Sequence, residues 1–311
     1  MENVHILLYY KFLPIEDTNY FIRIHKRKCK ELKIIGKVLI GKEGVNGSVA
    51  GSKEQMEEYK KFVHSLKGFE DVWFKEEIGK EAPFNKMIVR ERKEIVSLHK
   101  NVDMAKKGKY VEPEKFLEDY NKDDVIILDT RNYYEYKLGR FKNAINPNIK
   151  TFREFPDFVE KFKENENKKI YIYCTGGIRC EKAARYMEDK GFKDVYQLHG
   201  GIINFCQKLP NTIWEGKCFV FDKRLMSDIN QYNVITNCVT CNKISDLQRN
   251  CKNVNCDELV IQCNNCQEKM HGCCSKKCMN EFLKYARERA AKKKDGSWIV
   301  PKLVQEYRVK N

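Results

Sequence analysis

Short apolar runs separated by helical stripes fill the first third of the chain. Val4–Tyr10 is a β-prone run, and Thr18–Leu32 is a basic stretch of helical character. Lys37–Ile40 and Val45–Ala50 are strand-sized and joined by Gly41-Lys42-Glu43-Gly44. In Lys53–Leu66, the residues Met56, Tyr59, Phe62, Val63 and Leu66 recur at the spacing that places them on one helix face. Val72–Glu77 and Lys86–Val96 complete a βαββαβ order, which predicts a ferredoxin-like α+β sandwich over residues 1–100.

The pattern then changes twice. Asn101–Tyr110, with Lys106-Lys107-Gly108-Lys109, is hydrophilic and reads as a linker. Beyond it, Val125-Ile126-Ile127-Leu128 and Ile170-Tyr171-Ile172-Tyr173 are continuous apolar runs, as suits strands buried on both faces of a parallel sheet. Helical stretches at Pro113–Tyr120, Phe155–Phe162 and Glu181–Lys190 separate them, so residues 112–212 are expected to form an α/β domain. Residues 216–311 form a third part, rich in cysteine up to Cys278 and then basic and helix-prone.

Composition sharpens this picture. A length of 311 residues suits two or three domains. No apolar run approaches a membrane span, and the first residues lack a basic stretch followed by an apolar one. A soluble cytoplasmic protein with no membrane partner is expected. The net charge is +15, and residues 276–311 carry eleven Lys and Arg against four Asp and Glu. An anionic partner follows, nucleic acid ahead of membrane. The tail from Lys276 to Lys310 and the cations Arg23, Lys26, Arg27 and Lys28 are the expected phosphate contacts.

The chemistry concentrates in Cys174-Thr175-Gly176-Gly177-Ile178-Arg179-Cys180, at the end of a buried strand and the start of a helix. Ligands of open α/β sheets bind at the carboxyl ends of strands. Gly176 and Gly177 let the backbone curl so that several N–H groups converge on one centre. Those dipoles, the helix N-terminus and Arg179 all favour a thiolate at Cys174. The alternative is a buried structural cysteine beside a tight turn. Cys180 is either a second thiol near Cys174 or a small packing residue.

This domain resembles the rhodanese family in two places. One is Asp129-Thr130-Arg131-Asn132-Tyr133-Tyr134-Glu135-Tyr136, followed by Gly139-Arg140-Phe141-Lys142-Asn143-Ala144-Ile145-Asn146-Pro147. The other is the Cys174 loop, followed by Gly191-Phe192 and Leu198-His199-Gly200-Gly201-Ile202. Arg140-Phe141 departs from the family's His-Ile pair. In rhodaneses the loop cysteine becomes a persulfide cradled by backbone amides. Related phosphatases hold phosphate in a larger loop with Cys and Arg six positions apart. The separation here is five, which argues for a sulfur-sized guest.

The run from Cys174 through Glu181-Lys182-Ala183 is similar to one rhodanese-containing family, the tRNA uridine hydroxylases. Two flanks extend the resemblance: Glu43-Gly44-Val45-Asn46-Gly47-Ser48-Val49-Ala50-Gly51, and Gly216-Lys217-Cys218-Phe219-Val220-Phe221-Asp222-Lys223-Arg224. The first reads otherwise as a tight connection into a strand. The second is either an aromatic and basic RNA contact or a strand packing Phe219 and Phe221 on the sheet.

Nine of the fourteen cysteines lie between Cys238 and Cys278. In a cytosolic chain such clustering points to metal rather than disulfides. Zinc takes four thiolates in a tetrahedron, so nine cysteines supply two closed, structural sites with one left over. Cys238, Cys241, Cys251, Cys256, Cys263, Cys266, Cys274 and Cys278 are the expected ligands, with the pairing and the roles of Cys273 and His271 left open by spacing. A small polar module of this kind draws most of its folding free energy from the metal.

The resemblance implies oxygen-dependent formation of 5-hydroxyuridine at the tRNA wobble position, with tRNA as partner, dioxygen as co-substrate and Cys174 essential. The residues themselves lead only to a reactive cysteine beside RNA-binding modules. A sulfurtransferase passing persulfide sulfur from Cys174 to a thiol or to tRNA fits the loop equally. A zinc-stabilised RNA-binding adaptor with a vestigial rhodanese domain is the third reading, opposed by the intact Cys174–Arg179 loop.

Overall fold

Two capped helices anchor the first sheet. Asp17 accepts the Tyr20 N–H at the start of α1 (Thr18–Glu31), and Ser52 and Gln55 form a capping box at the start of α2 (Lys53–His64). The strands are β1 (Val4–Phe12), β2 (Ile35–Gly41), β3 (Gly44–Gly51), β4 (Lys75–Gly79) and β5 (Met87–Glu91), in the order β4-β1-β3-β2-β5. Four antiparallel strands make the ferredoxin-like sandwich. The last expected element is an addition to it: β5 pairs parallel with β2 at the sheet edge. Gly44 has a φ of 145°, and a Cβ there would lie 2.0 Å from the Lys11 carbonyl oxygen, so only glycine fits this turn against β1.

The computed structural model describes residues 3–106, 108–220, 226–227, 233–256 and 258–294, in two units that divide at residue 232. In the first sheet, Leu7, Tyr9, Val38, Val49 and the helix residues Tyr59 and Val63 share one core. Strand periodicity sends the alternate residues Leu8, Tyr10, Lys37, Leu39, Asn46 and Ser48 to the opposite face. That face is turned to the second domain, where these residues line a cavity.

The second domain is a parallel sheet of β6 (Lys109–Val111), β7 (Val125–Asp129), β9 (Lys169–Tyr173) and β10 (Asp194–Leu198), in the order β6-β10-β9-β7. Its connections include α3 (Pro113–Asp119), α4 (Tyr133–Leu138), β8 (Gly139–Phe141), α5 (Phe155–Lys161), α6 (Ile178–Asp189) and α7 (Gly201–Lys208). One core lies beneath α5 and α6 and another beneath α3 and α7. Two elements differ from the sequence expectation. Lys109–Val111 belongs to the sheet rather than to a linker, because an edge strand is defined by its pairing with β10, not by apolar content. Helix α6 begins at Ile178, three residues early, and so closes the cysteine loop directly. Then β11 (Trp214–Gly216) pairs with β8, and β12 (Cys218–Phe219) with β13 (Met226–Ser227).

The second unit contains the hairpin β14 (Gln248–Asn250) and β15 (Leu259–Ile261), then α8 (Asn264–Lys269) and α9 (Lys276–Lys294). The basic tail beyond Lys294, up to Lys310, lies outside the described residues, as do Phe221, Asp222, Lys223 and Arg224. No helix among the described residues is long and apolar enough to cross a membrane.

Candidate active site

Cys174 follows β9 at the carboxyl edge of the sheet and is 1% exposed. Gly177, at φ 99°, turns its N–H onto Cys174 Sγ at 3.0 Å. Gly201 backs the loop so closely that a Cβ there would meet the Cys174 carbonyl oxygen at 2.4 Å. Burial alone would raise the Cys174 thiol. The Cys180 side chain, the charge on Arg179 and the amides of Arg179 and Cys180 outweigh it and bring the group down to about 5. The loop thus brings the Gly177 amide and the charge of Arg179 to bear on Cys174.

Cys180 lies in the first turn of α6, close to Cys174. It is fully buried near Thr130, with Sγ 3.6 Å from the hydroxyl oxygen. Burial and the neighbouring Cys174 push its thiol well up. Arg179 is held by a partner that the sequence reading left without a role: its two terminal nitrogens donate to Glu135 at 2.6 and 2.8 Å. Glu135 is itself fully buried. A bidentate pair of this kind fixes the guanidinium beside the thiolate. Asp129 and Arg131, from the same motif, form a second buried pair that braces the chain at Gly139. The departure at Arg140-Phe141 is structural. Phe141 fills the core between Phe116, Phe205 and Trp214, while the Arg140 guanidinium lies over Tyr136 at 5.1 Å.

The cysteine loop opens into a cavity of about 590 Å³. Cys174, Thr175, Gly176, Ile178 and Arg179 form one wall, and the open face of the first sheet forms the other. Thr175 also donates to the Phe219 carbonyl oxygen at 3.4 Å, and Phe219 is buried against Tyr134, so the described part of that flank packs on the domain.

Helix α6 ties the two walls together. Glu181 accepts from Tyr10 at 3.1 Å and Tyr110 at 2.8 Å, and from Arg185 at 2.8 Å. Lys182, 2% exposed, reaches Glu43 and Glu94, each at 2.8 Å, and the Val96 carbonyl oxygen at 3.0 Å. The Glu43-Gly44-Val45-Asn46 stretch is therefore part of a domain clamp and a cavity wall. Asn46 donates to the Ile95 carbonyl oxygen at 3.0 Å, and a Cβ at Gly47 would collide with the Tyr9 ring. Lys75 is another residue that sequence reading missed. It lies on β4 opposite Leu8, is 4% exposed, and lines the cavity with Cys174. No signal along the chain marks it, because its position depends on which face of β4 meets the second domain.

In the second unit, Cys238, Cys241, Cys263 and Cys266 converge, as do Cys251, Cys256, Cys274 and Cys278. In each group the sulfurs lie within 4.8 Å of one another. The groups interleave along the chain, a pairing that spacing left open. Sγ separations of 3.7 Å for Cys241–Cys263, 3.7 Å for Cys256–Cys274 and 3.5 Å for Cys274–Cys278 match the roughly 3.8 Å edge of a tetrahedral zinc–thiolate site. The residues present fit such an ion. Cys273 is fully buried and His271 exposed, and neither belongs to either group.

Family models match three segments. A UPF0176 acylphosphatase-like domain matches residues 4–95, a rhodanese-like domain residues 112–208, and a rhodanese C-terminal model residues 215–279. Similar relatives include a tRNA uridine(34) hydroxylase of Cytophaga hutchinsonii, 42% identical over 89% of this chain and 90% of the relative. Those of Streptococcus sanguinis and Chlamydia trachomatis are 39% and 38% identical, over 89% of this chain and 88% and 87% of theirs. With its acylphosphatase-like sheet, its rhodanese domain and relatives aligned over nearly the full length, the chain belongs to the tRNA uridine(34) hydroxylase family.

Proposed function

We propose that this chain hydroxylates C5 of the wobble uridine in tRNA, with dioxygen as co-substrate and Cys174 as the essential residue. The observation that carries this reading is the placement of Cys174 and its glycine loop in the wall of a cavity of about 590 Å³, a size that accepts a nucleoside and is closed by a second domain. Enzymes that act on a base take it out of its stack, and an anticodon loop yields its bases at low cost. Tyr10, Phe84 and Phe152 give the cavity aromatic surface, and Lys37 and Arg153 give it cations for phosphate. Lys37 sits in a positive field, its ammonium lowered by burial and by Arg90 and Arg92.

Within this site the Gly177 amide, the Cys180 thiol and the Arg179 cation hold Cys174 as a thiolate, and Thr175 to Ile178 shape the loop around it. The overall reaction replaces C5–H by C5–OH. The second oxygen atom leaves as water, with two electrons and two protons from a reductant. Residues 1–100 supply the opposing wall and the basic surface of α1, residues 112–212 the thiolate, and residues 216–311 a module that binds two structural zinc ions. A tRNA substrate places the work in the cytoplasm.

The test is incubation of purified protein with unmodified tRNA and a reductant under ¹⁸O₂. The expected product is 5-hydroxyuridine carrying one ¹⁸O. A thiolated nucleoside, formed without oxygen, would instead establish the sulfurtransferase reading.

A further inference from the structure

Lys75 is a buried cation without an acidic partner at hydrogen-bond or ion-pair distance among the described residues. Its ammonium lies 4.5 Å from the Trp73 ring centroid and 5.0 Å from that of Tyr10, and it lines the same cavity as Cys174. The nearby carboxylate of Glu181 is taken by Tyr10, Tyr110, Arg185 and Gln197. Burial pulls the Lys75 ammonium down to about 8, while the charges on Cys174 and Glu181 push it up. A cation held out of water, over aromatic rings and facing a cavity, lacks its acceptor until a ligand brings one.

Resting on the proposed reaction, we infer that Lys75 recognises O4 of the wobble pyrimidine and selects uracil over cytosine. If the reacting C5 faces Cys174, the polar group beside it is the substituent on C4. In uracil that group is a carbonyl oxygen, which accepts from an ammonium. In cytosine it is an amino group, which only donates, and a lysine ammonium is donor-only as well. Cytosine therefore leaves a buried cation facing a donor. A site built around a hydrogen bond discriminates strongly against a base that cannot make it.

The experiment uses the full chain and anticodon stem-loops with uridine, cytidine or 4-thiouridine at the wobble position. Binding is read by fluorescence anisotropy without oxygen, so that no product forms. The 4-thio base keeps N3–H and replaces O4 by a poor acceptor. Wild-type protein should bind the uridine loop about tenfold more tightly than the cytidine loop, and several-fold more tightly than the 4-thiouridine loop. Lys75→Met should bring all three within about twofold of one another. A folded Lys75→Met protein that keeps the uridine preference overturns the assignment. If its Cys174 alkylation midpoint also rises, Lys75 serves the thiolate alone. Should Lys75→Met fail to fold, the wild type still decides, since equal binding of the uridine and 4-thiouridine loops overturns the inference. Failure of wild-type protein to bind any loop removes the functional reading itself.

Discussion

At the residue scale the central group is Cys174. A solvated thiol titrates near about 8.5, whereas this one is held near 5 against its own burial. Its lowered value fixes the sign: the thiolate is present above about pH 5 and is lost as pH falls through it. Iodoacetamide alkylation of Cys174 should therefore be flat above about pH 6 and fall with a midpoint near 5. Cys180→Ala removes the buried S–H donor and should raise that midpoint by about one unit. A wild-type midpoint near 8 would contradict the geometry of the loop. The Glu135–Arg179 pair shows why the loop needs the rest of its domain. The cation that stabilises the thiolate is positioned by a carboxylate 44 residues earlier in the chain.

At the element scale, α6 has two functions in one helix. Its first turn closes the cysteine loop, and Glu181 and Lys182 on the next residues clamp the first domain over the cavity. Lys182→Ala would leave Glu43 and Glu94 facing each other without their shared cation. Both carboxylates are about one-fifth exposed, so the loss should be about 1–3 kcal/mol. A lower unfolding midpoint together with faster Cys174 alkylation would report the loosened clamp. Unchanged values for both would show that the clamp is incidental. What was legible in the sequence follows from distance along the chain. The Cys174 loop is a local arrangement of strand, glycines and helix, and its geometry could be read directly. The roles of Glu181, Lys182 and Lys75 depend on a partner domain about ninety or more residues away, which no local spacing encodes. Likewise β6 looked like a linker, because three residues of an edge strand carry no periodicity.

At the scale of the whole molecule, metal and charge complete the account. Metal analysis of protein purified without chelators should return about two zinc ions per chain. Chelation should unfold the second unit, read as lost helical signal, while the Cys174 titration stays as it was. Protein without metal and with intact structure would contradict the fit of the two interleaved cysteine groups. The candidate ligands were legible as a set, because cysteine type and number suffice for that. Their pairing was not, because it depends on how the hairpin and α8 bring distant cysteines together. On the first domain, Arg23, Lys26 and Arg27 are exposed along α1. Changing all three to Gln should flatten the salt dependence of tRNA binding by up to about three units of slope. An unchanged slope would make them a solvated helix face.

The most direct test of the central claim is mass spectrometry of tRNA nucleosides from cells lacking the gene and any parallel pathway, complemented with either wild-type protein or Cys174→Ser. A serine hydroxyl neither ionises near neutral pH nor carries a persulfide, and so cannot replace the thiolate. The account predicts that 5-hydroxyuridine and its derivatives vanish on deletion, return with wild-type protein and stay absent with Cys174→Ser. Persistence of hydroxylated uridine in the deletion strain, or its full return with Cys174→Ser, would contradict it.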